Sequence, residues 1–181
     1  MTAADQIKPF ELLRRLEQRG RACDLLLPEP DRAPAQWAGI AFRLGDRRLL
    51  AAMGAVVEVL RCPPIVPLAR TQPWLRGLAD VGGRLLPIID LQGYLGEQPA
   101  ASAARSCLLR IEHREVAAGL LIDELLGRRY FYPEQWRRSE AAPEAALAPY
   151  LAGEFYRDGE SWPLFDVRAL AEHPRFLQVA L

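Results

Sequence analysis

The sequence predicts a mainly β chain in which one small barrel is built twice, behind a short helical arm. Three observations carry that expectation. Leu75, Gly77, Gly83, Pro87 and Asp90 recur as Leu151, Gly153, Gly159, Pro163 and Asp166, each 76 positions later (151 minus 75). A window this short gives about one identity by chance, so five at one displacement point to tandem duplication. Between the anchors the apolar positions also agree, Leu86 with Trp162, Ile88 with Leu164, Ile89 with Phe165 and Leu91 with Val167. Upstream, Phe42, Arg43, Leu44, Arg47, Leu49 and Ala51 echo Leu109, Arg110, Ile111, Arg114, Val116 and Ala118 at a displacement of 67 (109 minus 42). The growth by nine (76 minus 67) places an insertion in the second copy, with 137–149, rich in Ala, Glu and Pro, as its predicted site.

The elements follow in order. Phe10, Leu13 and Leu16 share one face of a helix predicted over 7–21, with Pro9 tolerated in its first turn and Gly20 as its stop. Three prolines between Leu25 and Pro34 make a linker. From Trp37, Ile40, Phe42 and Leu44 alternate with smaller or polar residues, the period of a half-buried strand. Gly45-Asp46 turns the chain and Arg48 to Ala52 returns; the second copy repeats this with Leu109 and Ile111, a turn near His113, and Val116 to Ile122. Val56 to Leu60 and Leu121 to Leu126 are apolar runs whose periodicity fits strands or short helical turns alike, and they are read as strands.

Gly82-Gly83 and Asp158-Gly159 suit type I′ hairpin turns, which need positive φ at both central residues. That register sets Arg157 opposite Glu160, Phe155 opposite Trp162 and Ala79 opposite Leu86. Pro87 and Pro163 lack the N–H that a ladder needs, so a ladder should bend or end at each. Asp90 and Asp166 then stand as N-caps of short helices over 91–95 and 167–172. The predicted organisation is an arm and linker over 1–36, a barrel over about 37–96, a second over about 106–172, and a tail over 173–181.

Twenty-three basic residues balance twenty-three acidic ones among 181, so nothing global points to nucleic acid or an anionic membrane. Cys23, Cys62 and Cys107 form neither a disulfide framework nor a C-x-x-C metal pattern. The start of the chain has no apolar signal core, and the longest uncharged apolar run, 49–57, is too short to span a bilayer, so a cytoplasmic chain is expected. The aromatic run Tyr130-Phe131-Tyr132 beside Arg128 and Arg129 reads equally as an interaction edge or as a covered strand.

Two chemical alternatives can be weighed. A duplicated Asp90/Asp166 pair is the dyad expected of a two-carboxylate hydrolase, but Leu91 and Val167 follow where a small hydroxyl residue and glycine would expose the carboxylates, and capping accounts for both. Tandem small barrels also bind nucleic acids, yet acidic residues interleave the arginine pairs. His113 and His173 join no triad, read as exposed, and no nucleotide loop, cofactor site or metal set is legible.

The segment from Trp74 to Leu91, with Gly119 to Gly127 and Tyr150 to Gly153, resembles CheW-like coupling domains over roughly 37–172. Trp37 to Arg43, Pro9 to Leu13 and Trp162 to Asp166 resemble the branch of that family serving type IV pilus chemosensory systems. The resemblance implies two tandem SH3-like five-stranded barrels, no catalysis, and an adaptor between a chemoreceptor tip and the regulatory domain of a CheA-type histidine kinase. It also implies a partner surface drawn from Val56, Glu58, Val59, Gly77, Leu78, Gly82 and Arg84, with Val56, Val59 and Leu78 as its apolar patch. One departure stands out: the family's usual Asn-Leu-Arg-Gly run is Asp80-Val81-Gly82-Gly83 here, so its arginine is absent at Gly82 and Arg84 is the nearest positive charge.

Overall fold

The computed structural model describes residues 10, 11, 14, 17, 36–97, 107–138 and 146–180. Two units are distinguished, 1–34 and 35–181. In the first, the four described residues are helical, as the apolar spacing predicts, and the remainder of the predicted 7–21 helix and the linker lie outside the described residues.

Among its described residues the second unit is mainly β, with eleven strands: β1 (Trp37–Leu44), β2 (Arg47–Ala52), β3 (Val56–Arg61), β4 (Leu75–Val81), β5 (Arg84–Asp90), β6 (Cys107–His113), β7 (Val116–Ile122), β8 (Glu124–Phe131), β9 (Trp136–Arg137), β10 (Leu151–Arg157) and β11 (Glu160–Phe165). The described residues also form short α-helices: α1 (Leu91–Tyr94) after β5, and α2 (Val167–Ala171) and α3 (Pro174–Leu177) in succession after β11. The strands form two sheets, ordered β8-β1-β2-β11-β10-β9 and β3-β6-β7-β5-β4. These are the two SH3-like barrels, with β9 as an addition to the first.

The pairings superpose one barrel on the other residue by residue. Leu75 pairs with Ile89 and Val81 with Arg84, while Leu151 pairs with Phe165 and Arg157 with Glu160, each with a bulge at the same place. Both hairpins turn through positive φ, 61° and 82° at Gly82 and Gly83, 53° and 83° at Asp158 and Gly159. The register predicted from these turns is the observed one. Each antiparallel ladder runs through its proline, Leu78 opposite Pro87 and Glu154 opposite Pro163. The parallel ladder on the other side begins one residue later, with Ile88 opposite Gly119 and Leu164 opposite Leu50.

Upstream, the structure corrects the displacement. Leu44 pairs with Arg47 and His113 with Val116, so Leu44 corresponds to His113 and the copies are 69 apart (113 minus 44), not 67. The two-residue slip leaves every side chain on its proper face, which is why apolar alternation alone does not detect it. The insertion is therefore seven residues (76 minus 69), falling between β8 and β10, where β9 is also found.

Neither sheet is drawn from one copy, so the sheets do not divide at the connection between 97 and 107. The opening hairpin β1-β2 joins β10-β11 through the β2·β11 pairing, and β6-β7 joins β4-β5 through β5·β7. The predicted strand over 121–126 is likewise two strands, because buried Asp123 breaks it: its carboxylate accepts from the Gly45 N–H at 2.5 Å, and its own N–H bonds the Arg43 carbonyl.

Three apolar clusters hold the unit together. The largest takes Phe42, Leu44 and Phe165 from one sheet and Leu109, Ile111, Leu120 and Ile122 from the other, with Tyr94 and Phe176. A smaller cluster of Ala79, Val81, Leu86, Ile88, Leu108 and Leu121 fills the five-stranded barrel. Ala41, Leu50, Phe131, Phe155 and Trp162 fill the other. Asp90 accepts from Gly93 N–H and Asp166 from Arg168 and Ala169 N–H, so both carboxylates act as the predicted N-caps.

Tyr94, fully buried, stacks edge-on against Trp74 and Phe176. Its hydroxyl bonds that of Tyr150 at 2.8 Å and lies 3.3 Å from His173 Nδ1. Burial first, then the bond to Tyr150, pushes the Tyr94 hydroxyl above its ordinary range, so it stays protonated. His173 is half-buried and caps α3 by accepting from the Arg175 N–H, which corrects the expectation of an exposed histidine.

Candidate partner-binding site

The five-stranded barrel carries all seven residues implicated by resemblance, but it presents them unequally. A bulge between Val56 and Glu58 adds a residue to β3 opposite β6. Val56 is 6% exposed in the central core, so it presents no side chain to a partner, while Val57 beside it is 51% exposed. Val59 is half-buried against the same core.

Gly77 also serves the barrel rather than its surface. At φ 138° it passes under the segment at Val66, where an added Cβ would lie 2.1 Å from the Val66 carbonyl oxygen. The close approach is to another segment of the same chain: Val66 and Leu78 exchange backbone hydrogen bonds of 2.8 and 2.9 Å. Gly153 holds the equivalent position at φ 149°, beneath Trp136 and the Arg137 carbonyl.

What remains outward is the outer face of β4-β5. Leu78 and Pro87 are half-buried and face each other in the ladder, with Leu85 exposed at 74% and Val66 at 66% beside them. Arg76 and Asp80, both exposed on β4, flank this apolar strip. Leu85 and Val66 escape sequence reasoning because an apolar residue in a strand is ordinarily assigned to a core; the Leu85-Leu86 doublet is the signal that one of the pair faces out.

At the hairpin tip, Asp80 Oδ1 accepts from the Gly83 N–H at 2.7 Å, pinning the turn, and Gly82 is exposed with open space where a Cβ would stand. Arg84 lies 3.9 Å from Glu112, whose carboxylate also binds Arg110, and Arg110 reaches Glu58 at 3.4 Å. A chain of alternating charge thus links Glu58 to Arg84 through two residues that sequence reasoning missed. Ion pairs this exposed add little stability, so their effect is to hold charge in place.

Elsewhere His113 is half-buried, not exposed as expected. Its Nε2 donates to Glu172 at 3.0 Å, and Arg114 reaches the same carboxylate at 3.1 Å, tying the β6-β7 turn to the end of α2. The hydrogen bond from His113 first, and the charge of Arg114 next, hold the Glu172 carboxyl below its usual range. A carboxylate so depressed stabilises the fold above its unfolded pKa and loses that contribution as pH falls through the folded value. Replacing His113 by Ala should bring the Glu172 titration back toward an ordinary glutamate, measured by carboxyl-carbon NMR against pH; an unmoved midpoint would refute the assignment.

Cys62 and Cys107 are free thiols, with burial raising Cys62 above its ordinary value; Cys23 lies outside the described residues. Among the described residues no cluster of His, Cys, Asp or Glu is arranged to hold a metal, and no helix is long and apolar enough to cross a membrane.

Known proteins resemble this chain at every level. The family model described as CheW-like domain matches residues 38–175. Protein PilI of Pseudomonas aeruginosa is 40% identical over 178 residues, 98% of this chain and 99% of that one. Protein FrzA of Myxococcus xanthus is 35% identical over 105 residues, 55% of this chain and 66% of its own. In structure, the scaffolding protein TtCheW from Thermoanaerobacter tengcongensis shares the fold with a TM-score of 0.65 at 17% identity, covering 72% of this chain and 89% of that one. With the repeated hairpins, capped helices and paired barrels described above, these likenesses place the chain in the CheW-like family.

Proposed function

We propose that this chain is a non-catalytic adaptor that couples chemoreceptors to a CheA-type histidine kinase in a cytoplasmic chemosensory pathway controlling type IV pilus motility. The observation that carries the reading is the near end-to-end likeness to PilI, since a relative matched over 98% of one chain and 99% of the other has the same organisation throughout. The site supports it. Asp90 and Asp166, the residues a hydrolase would use, accept helix N–H groups, and the outward features are an apolar strip and a fixed run of charge, the make-up of a protein-binding patch.

Binding in such an adaptor acts through differential affinity for receptor and kinase states. Co-purification from the native host should return a CheA-type kinase and a methyl-accepting receptor; recovering neither with the folded protein would refute the reading. Leu85→Asp should weaken binding of the kinase regulatory domain or the receptor tip about thirtyfold by calorimetry, since an apolar anchor at an interface centre contributes on the order of 2 kcal/mol. Its melting temperature should not move, because the side chain is 74% exposed. Equal affinity for both partners would remove the β4-β5 face from the site.

A further inference from the structure

The six-stranded barrel has a cleft at one mouth. A cavity of about 440 Å³ opens between the edge strand β8 and the β10-β11 turn, lined by Arg128, Arg129, Tyr130, Arg157, Glu160 and Trp162. The aromatic floor belongs to the barrel's own core, with Trp162 8% exposed. Arg129 lies over the Trp162 ring at 5.8 Å from its centroid, and Arg48 lies over the same ring at 5.9 Å.

The charges in the cleft do not cancel. Arg157 pairs with Asp158 at 3.1 Å, and Arg48 pairs with Glu160 at 2.8 Å. Arg128 instead donates to the Tyr130 hydroxyl and Arg129 to the Arg128 carbonyl; neither has a carboxylate partner among the described residues. The duplication supplies an internal control. At the same displacements, the five-stranded barrel has Val59 and Leu60 for Arg128 and Arg129, Val81 for Arg157 and Leu86 for Trp162, and Val81 and Leu86 pack into its core. Closing this fold at that mouth does not require arginine, and apolar residues accomplish it in the sister barrel.

We propose that this cleft is a docking site for an acidic segment of a partner protein, with carboxylate side chains held by Arg128 and Arg129 and an apolar neighbour against Tyr130 and Trp162. Guanidinium forks match carboxylates in a bidentate way, and a cavity of this size admits one or two side chains. Asp158 and Glu160, each paired with an arginine, interrupt the positive charge along the walls, so the cleft fits a discrete carboxylate side chain at Arg128 and Arg129 better than a continuous phosphate backbone. The proposal rests on the adaptor reading and gives the chemistry of one partner segment.

The test is a heteronuclear NMR titration of the full chain with the capped hexapeptide Glu-Leu-Glu-Glu-Leu-Glu, its Gln-for-Glu analogue, and a single-stranded DNA dodecamer. Saturable shifts at the Arg128 and Arg129 side-chain N–H signals and the Trp162 indole are expected with the first peptide only. R128E/R129E, and separately R128Q/R129Q as a milder change, should weaken that binding about tenfold or more, as expected for losing charge-assisted hydrogen bonds. R70E, at an exposed arginine in the connection between β3 and β4, should bind as the unaltered chain does. No shift with the acidic peptide, equal binding by the Gln analogue, stronger binding of the DNA, or unchanged affinity in both double variants would each overturn the proposal. If the unaltered protein still captures kinase and receptor, the cleft alone has failed; if it captures neither, the adaptor reading falls and the proposal with it.

Discussion

Gly77→Ala should destabilise this protein by about 3 kcal/mol or more in urea unfolding, more than any surface change considered above. Two costs combine. An alanine would be held at φ 138°, a conformation that side-chain-bearing residues rarely adopt, and its Cβ would stand 2.1 Å from the Val66 oxygen and 2.7 Å from the Val66 carbonyl carbon. Backbone atoms cannot rotate aside as a side-chain tip can, so the crossing segment must lift and lose the two hydrogen bonds between Val66 and Leu78. Gly153→Ala is the informative partner. Its Cβ would meet the Trp136 ring at 2.4 Å, but that ring can swing, and the nearest backbone atom is the Arg137 oxygen at 3.0 Å. The loss at Gly153 should therefore be smaller than at Gly77; equal losses would show that the φ strain alone decides. Any failure of a Gly77 variant to bind a partner then reports a damaged barrel, not a lost contact.

Tyr94→Ala should cost about 3–5 kcal/mol, the range for removing a large buried aromatic side chain. The ring is fully buried and touches Trp74, Tyr150 and Phe176, so its removal opens a cavity where α1, α3 and the turn before β10 meet. Tyr94→Phe separates the hydroxyl from the ring. It leaves the packing and strands the Tyr150 hydroxyl, at a cost of about 1–3 kcal/mol. A Phe variant as unstable as the Ala variant would mean that the hydrogen bonds to Tyr150 and His173, and not the packing, hold this junction.

The parts of the fold legible in the sequence are those set by neighbours in the chain. Gly82-Gly83 and Asp158-Gly159 determine their turns, the turns determine the register, and Asp90 and Asp166 bond N–H groups two or three residues away. Partnership between distant strands leaves no comparable trace. The alternation in 37–44 says that one face is buried, not that the strand returns to β8 and β2. The candidate site was legible to the same extent. Glu58 and Arg84 are outward as expected, but the β3 bulge exchanges Val56 for Val57, and a bulge depends on the opposing strand. His173 was misjudged because its partners, Tyr94 and the N–H of Arg175, meet it only once α1 and α3 are packed.

Because β1-β2 completes the sheet of β10-β11 and β6-β7 completes that of β4-β5, severing the connection between Glu97 and Cys107 leaves two polypeptides that each own half of both cores. Neither piece can satisfy its exposed strand edges alone. Mixed together, they form a ready-made complementation pair, whose reassembly would report how strongly the duplicated halves have come to depend on one another.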